Sequence, residues 1–134
     1  YSLELADESD GTRRLMSLAP DMERILSCGG ILLVDELEKE MHPMLVEYIV
    51  AKFQSPVSNP NHAQLIFTTH NTELLNMELL RKDQLYFADK NRTDGTSSLY
   101  SIGELATPTS ENVRKGYLMG KYGATPDLEI EEVE

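Results

Sequence analysis

Ile31-Leu32-Leu33-Val34-Asp35-Glu36-Leu37-Glu38, running on to His42-Pro43, decides how the rest of the chain is read. Four apolar, partly β-branched residues stop abruptly at two adjacent carboxylates. The apolar run predicts a strand buried on both faces, as in the parallel sheet of an α/β fold. Open α/β sheets bind ligands at the carboxyl ends of their strands, so Asp35 and Glu36 fall where a ligand would lie. Two neighbouring acids repel unless a proton or cation intervenes. Phosphate-bound Mg²⁺ is such a cation, because hard ions prefer carboxylate oxygen. Taken alone, the same run also reads as a strand entering a solvated acidic turn.

The 134 residues suffice for one small domain with its own core. The 40% hydrophobic and 26% charged content is ordinary for a water-facing globular chain. No apolar run reaches membrane-spanning length, and the opening residues do not read as a signal peptide. The single Cys28 excludes an internal disulfide framework, which predicts a reducing, cytoplasmic setting and a small buried thiol. A net charge of −11 argues against a broad nucleic-acid or membrane footprint. Residues 127–134 hold much of the excess acid and are expected to be a solvated, disordered tail. The first residue is Tyr1 rather than Met, so the chain is expected to be a fragment with parts upstream.

Outward from the strand, Ser9-Asp10-Gly11-Thr12 precedes apolar residues at helical spacing: Leu15, Met16, Leu18, Met22, Ile25 and Leu26. Ser9 or Asp10 is the expected N-cap, and Pro20 the point where the helix breaks or restarts. Gly29-Gly30 ends this unit. Pro43 suits the first turn of a second helix over 44–53. A turn-rich loop follows, then a second buried strand over 64–69 that ends at His70. Asn71 or Thr72 caps a short helix carrying Leu74 and Leu75. Residues 84–88 and 98–102 alternate as strands around Asn91-Arg92-Thr93-Asp94-Gly95, which predicts an antiparallel hairpin. Residues 112–119 read as a helix weakened by Gly116, and 120–126 as a loop.

Three segments carry the chemistry. Glu8-Ser9-Asp10-Gly11-Thr12 stands at a helix start, where free N–H groups and the positive helix end receive phosphate; an ordinary N-cap is the alternative. Asp35-Glu36 is the second. His70, after Thr68-Thr69, is the third. If the two strands are parallel neighbours, Glu36 and His70 share one sheet edge.

Taken in this order, the segments resemble the C-terminal half of an ABC-type ATPase head. The similarity is greatest to the AAA-like ATPases of the OLD and abortive-infection (phage-defence) groups. Glu8-Ser9-Asp10-Gly11-Thr12-Arg13-Arg14-Leu15 resembles their variant signature, and Leu32 to Glu38 with Met41-His42-Pro43 their Walker B and D-loop. Phe67-Thr68-Thr69-His70-Asn71 resembles their switch-histidine strand. Arg81 to Phe87 resembles the strand that follows, and Gly116-Tyr117-Leu118 with Gly120 to Ala124 the closing segment.

The resemblance implies an α/β fold. Residues 1–126 would form a partial P-loop NTPase sheet, ABC-ATPase-like, with flanking helices and a C-terminal hairpin. It also implies roles. Asp35 would hold Mg²⁺ through water, Glu36 would deprotonate the attacking water, and His70 would bond the γ-phosphate of ATP. Ser9, Gly11 and Thr12 would contact the γ-phosphate bound to a second protomer, so that ATP joins a homodimer. Glu38 to His42 would cross that interface. Arg13 and Arg14 are expected on a solvated helix face. Nucleic acid or a toxin-type effector would be reached through regions outside this stretch.

One departure limits the resemblance. No G-x-x-x-x-G-K-[ST] occurs; Gly120-Lys121 is followed by Tyr122. The phosphate cradle is expected upstream or from another chain. Two rival readings use the same residues: a metal-dependent nuclease centre of Asp35, Glu36, Glu38 and His70, and a non-catalytic dimerisation module.

Without the cradle, triphosphate charge meets an acidic strand edge, and repulsion opposes binding. This chain by itself is therefore expected to show no strong binding of Mg-ATP in a calorimetric titration. A micromolar dissociation constant would mean that the phosphate site lies within these residues.

Overall fold

The computed structural model describes residues 8–76, 78–91, 93–105 and 112–125. The expected disordered tail at 127–134 lies outside the described residues. The fold is mixed α/β, in two compact units, Tyr1–Thr72 and Glu73–Glu134.

In the first unit, helix α1 (Asp10–Cys28) begins where Ser9 accepts the Thr12 N–H on its hydroxyl oxygen. It ends where Gly29 turns left-handed at φ 76°. A Cβ there would lie 2.4 Å from the Asn61 carbonyl oxygen, so only glycine fits. Asn61 closes the same helix end by donating from Nδ2 to the carbonyls of Leu26 at 3.0 Å and Ser27 at 2.9 Å. Pro20 neither breaks nor restarts the helix: α1 runs through it. Pro20 and Met16 lie on the exposed side, where water can take the Met16 carbonyl that proline leaves without a donor. Cys28, expected to be buried, is exposed in the last turn.

Strand β1 (Ile31–Val34) pairs in parallel with β2 (Gln64–Phe67), Ile31 opposite Gln64 and Val34 opposite Phe67. Between them runs helix α2 (Pro43–Gln54), with Pro43 in its first turn. Helix α1 packs on β1 and α2 on β2. Met22, Ile25 and Leu26 of α1, Val46, Ile49 and Val50 of α2, and Leu32 and Val34 of β1 are buried together with Leu37. The expectation of strands buried on both faces does not hold. Ile31, Leu33 and Ile66 are 56%, 72% and 54% exposed, because among the described residues the helices cover only one side of this two-stranded sheet. Strand β2 also stops at Phe67, short of Thr69. Its entry is set by Asn59, which is buried and fully engaged: Nδ2 donates to the Phe53 and Ala63 carbonyls, and Oδ1 accepts from the Ala63 N–H.

In the second unit, β3 (Tyr86–Lys90) and β4 (Ser97–Ser101) form the expected antiparallel hairpin. Helix α3 (Val113–Leu118) holds Gly116, the residue that weakened the sequence reading. A Cβ at Gly116 would come within 2.6 Å of the Tyr122 hydroxyl. Tyr122 is buried, and its ring stacks on Phe87 at 5.8 Å. The Gly-Lys-Tyr stretch is thus a packing turn.

Gly29→Ala should lower the unfolding free energy by about 2 kcal/mol or more. The left-handed backbone costs an L-residue about 1–2 kcal/mol by itself, and the contact with the Asn61 carbonyl adds to it. Urea unfolding checks this; an unchanged midpoint would mean that the 25–31 corner rearranges freely.

Candidate active site at the carboxyl ends of the two parallel strands

Parallel pairing brings the carboxyl ends of β1 and β2 level. Hydrogen bonding continues past both strands: the Thr68 N–H donates to the Val34 carbonyl at 3.1 Å, and the Leu37 N–H to the Thr68 carbonyl at 3.1 Å. Side chains extend the seam. The Glu36 N–H donates to Thr68 Oγ1 at 2.8 Å, and Thr68 Oγ1 donates to Asp35 Oδ1 at 2.5 Å. The His70 N–H donates to Glu38 Oε1 at 2.7 Å.

The two acids face different surroundings. Asp35 is exposed, and its Oδ2 has no partner among the described residues. Glu36 takes a left-handed backbone at φ 48°, uncommon for a side chain with a Cβ. Its carboxylate lies 3.8 Å from His70 Nε2 and 3.9 Å from Lys39 Nζ. The His70 side chain is 87% exposed and open to a ligand. The expectation that Glu36 and His70 share one edge holds.

Glu38 and Arg14 were undervalued by the sequence. Burial raises the Glu38 carboxyl, but bonds from the backbone N–H groups of His70 and Glu38 and from the Thr69 hydroxyl outweigh it. The Glu38 carboxyl therefore lies below its ordinary range. Arg14, expected to be solvated, reaches the Asp35 carbonyl from Nη2 at 3.4 Å, and its Nε is buried. Arg13 does stay outside, paired with Asp10. Neither link has a local signal, since each joins residues remote in sequence.

The start of α1 is used differently. Ser9 and Thr12 share a hydroxyl–hydroxyl bond of 2.9 Å. They make no hydrogen bond to Asp35, Glu36 or His70 among the described residues. Gly11 packs on the turn after β1, where a Cβ would lie 2.6 Å from the Glu40 carbonyl oxygen. That turn has a second left-handed residue, Glu40 at φ 63°. His42 then caps α2, its Nδ1 accepting from the Met44 N–H.

Chemically, this edge offers a hard oxygen ligand with one free oxygen, a carboxylate beside an imidazole, and open space above them. That donor set suits Mg²⁺, which takes one or two carboxylates together with phosphate oxygens and water. No group of three or more His, Cys, Asp or Glu side chains among the described residues could hold a metal by itself. No helix among them is long and apolar enough to cross a membrane.

A family profile described as "AAA domain, putative AbiEii toxin, Type IV TA system" matches residues 1–76. The chain is 36% identical over 70 residues to the "Retron Vc95 probable ATPase" of Vibrio cholerae serotype O1 biovar El Tor, covering 48% of this chain and 14% of that protein. It is 31% identical over 116 residues to the "Retron Ec83 probable ATPase" of Escherichia coli, covering 81% of this chain and 21% of that protein. The chain thus spans about a fifth or less of the length of these curated relatives. No solved structure matches it.

Because its carboxyl sits low when folded, Glu38 adds stability that is complete above its unfolded value of 4.5 and is lost as pH falls through the folded value. Glu38→Gln should therefore flatten the acid limb. Between about pH 6 and about pH 3, the urea midpoint of the parent should fall further than that of the variant. Parallel declines would show that Glu38 titrates alike folded and unfolded.

Proposed function

The chain belongs to the family described as "AAA domain, putative AbiEii toxin, Type IV TA system", and from that premise we propose that it is the hydrolytic half of an ABC-like ATPase head. Its reaction is ATP plus water to ADP and phosphate, coupled to dimerisation. The observation that carries this reading is the meeting of Glu36 and His70 at 3.8 Å beside Asp35, at level ends of two parallel strands.

Glu36 takes a proton from the attacking water as its oxygen bonds the γ-phosphorus and the bond to ADP breaks. Lys39 and His70 flank that carboxylate and hold it near the incoming water. His70 also donates to a γ-phosphate oxygen, and its exposure lets it do so. Asp35 would hold Mg²⁺, through water, and the ion would neutralise charge on the phosphates. Ser9, Gly11 and Thr12 meet the γ-phosphate held by a second protomer, and the turn from Glu38 to His42 crosses that interface. The phosphate cradle comes from outside these residues. The broader placement with OLD-type and abortive-infection ATPases, in the cytoplasm, fits the same reading. So do nucleic-acid or toxin-type partners reached through other regions. The nuclease alternative gains less support, because Asp35, Glu36, Glu38 and His70 do not form a metal-holding group.

In the complete protein, Glu36→Gln keeps the side chain's shape but cannot take the proton. Phosphate release should fall by about 10²- to 10⁴-fold, while light scattering reports ATP-dependent dimers that persist, since unhydrolysed ligand that favours the closed state shifts the population towards it. Asp35→Asn should impair both. Hydrolysis near the parent rate in Glu36→Gln would remove Glu36 as the base. An inactive variant equally dispersed with and without ATP would remove the sandwich dimer and leave the catalytic assignment.

A further inference from the structure

A carboxylate on a strand tip rotates freely unless a neighbour fixes it, and ligating acids are held by such neighbours. Here the neighbour is a single hydroxyl. A threonine hydroxyl has one proton to give and two lone pairs to accept with. The Glu36 N–H fills one lone pair at 2.8 Å, and the proton goes to Asp35 Oδ1 at 2.5 Å. The order is directional, from the Glu36 N–H through Oγ1 to the Asp35 carboxylate. It occupies one Asp35 oxygen and leaves Oδ2 to face outward. The Thr68 main chain is anchored on both sides, its N–H on the Val34 carbonyl and its carbonyl on the Leu37 N–H. Every polar group of Thr68 is thus spent on residues 34–37 of the neighbouring strand and turn. The bond to the Glu36 N–H also satisfies the amide of a residue held at φ 48°, a conformation that needs support from its surroundings.

We propose that Thr68 is the positioning residue of this site. Its hydroxyl sets the rotamer of the Asp35 metal ligand and the backbone of the Glu36 base together. The inference rests on the reading of Asp35 and Glu36 given above. Thr68 touches neither water nor phosphate in this role; it acts through the two acids.

The test uses the complete protein with Thr68→Val, Thr68→Ala and Thr68→Ser, and Mn²⁺ as the probe. Mn²⁺ carried by the protein is measured by gel filtration on a column equilibrated with Mn²⁺ and ATP, so that the ion chelated by ATP alone forms the baseline, with phosphate release measured alongside. Thr68→Val and Thr68→Ala should each weaken Mn²⁺ binding and slow hydrolysis by about 10- to 100-fold. Thr68→Ser, which keeps the hydroxyl, should stay within about threefold of the parent in both. Alanine needs no extra room, so it reads the hydroxyl even if valine disturbs folding. Parent-like Mn²⁺ affinity in Thr68→Ala overturns the proposal, as does a serine variant that falls as far as alanine. A parent that binds Mn²⁺ with ATP yet releases no phosphate would end the hydrolase reading, and the Mn²⁺ measurements would still decide the role of Thr68. A parent that binds no Mn²⁺ with ATP would end both.

Discussion

The level ending of β1 and β2 is the constraint from which the rest of the site follows. In parallel pairs, hydrogen bonds slant evenly along the strands, and a shift of one residue would turn every side chain to the other face. With Val34 opposite Phe67, residue 35 falls beside 68, as the bond from Thr68 to Asp35 requires; beyond that pair the turn after β1, not the strand register, sets Glu38 against the His70 N–H. Slip that register by one, and Asp35 loses its hydroxyl partner while Leu32 and Val34 leave the core. Core packing and site geometry are thus enforced by one alignment.

Beyond the strands, order comes from polar contacts. The turn from Glu36 to His42 has two left-handed residues without glycine's freedom, Glu36 and Glu40. Three features hold it: Leu37, wholly buried beneath it; the seam to Thr68 and His70; and the close approach of Gly11 to the Glu40 carbonyl. The same glycine that resembles part of a phosphate-binding signature thereby ties the start of α1 to the turn after β1. A displacement of one would be felt by the other.

Much of this was legible in the sequence, because the governing signals are local. The apolar run that stops at Asp35 gave β1 to the residue, Ser9-Asp10 gave the cap of α1 to within one position, and Pro43 the start of α2. Asn91 to Gly95 marked the hairpin. What was missed is non-local. Thr68 and Glu36 bond across 32 positions, and Arg14 and Asp35 across 21, distances over which residue pattern carries no register. Burial of the strands was overestimated for a related reason: an apolar run shows that a strand seeks cover on two sides, but not how much of that cover the same stretch of chain provides. Pro20 misled because its penalty depends on whether water can reach the carbonyl one turn earlier, which spacing alone does not reveal.

The uncovered side of the first sheet has a bearing on handling. Ile31, Leu33 and Ile66 form an apolar strip in water, and among the described residues each of the two strands keeps one edge unpaired within this sheet. Such a combination favours edge-to-edge self-association. Opposing it is a net charge of −11, which keeps copies apart by mutual repulsion over a range set by ionic strength. Colloidal behaviour of the isolated chain is therefore a balance between a short-range sticky strip and a long-range charge. Concentrated salt weakens only the second, so clarity of the solution should be lost on adding salt rather than on removing it.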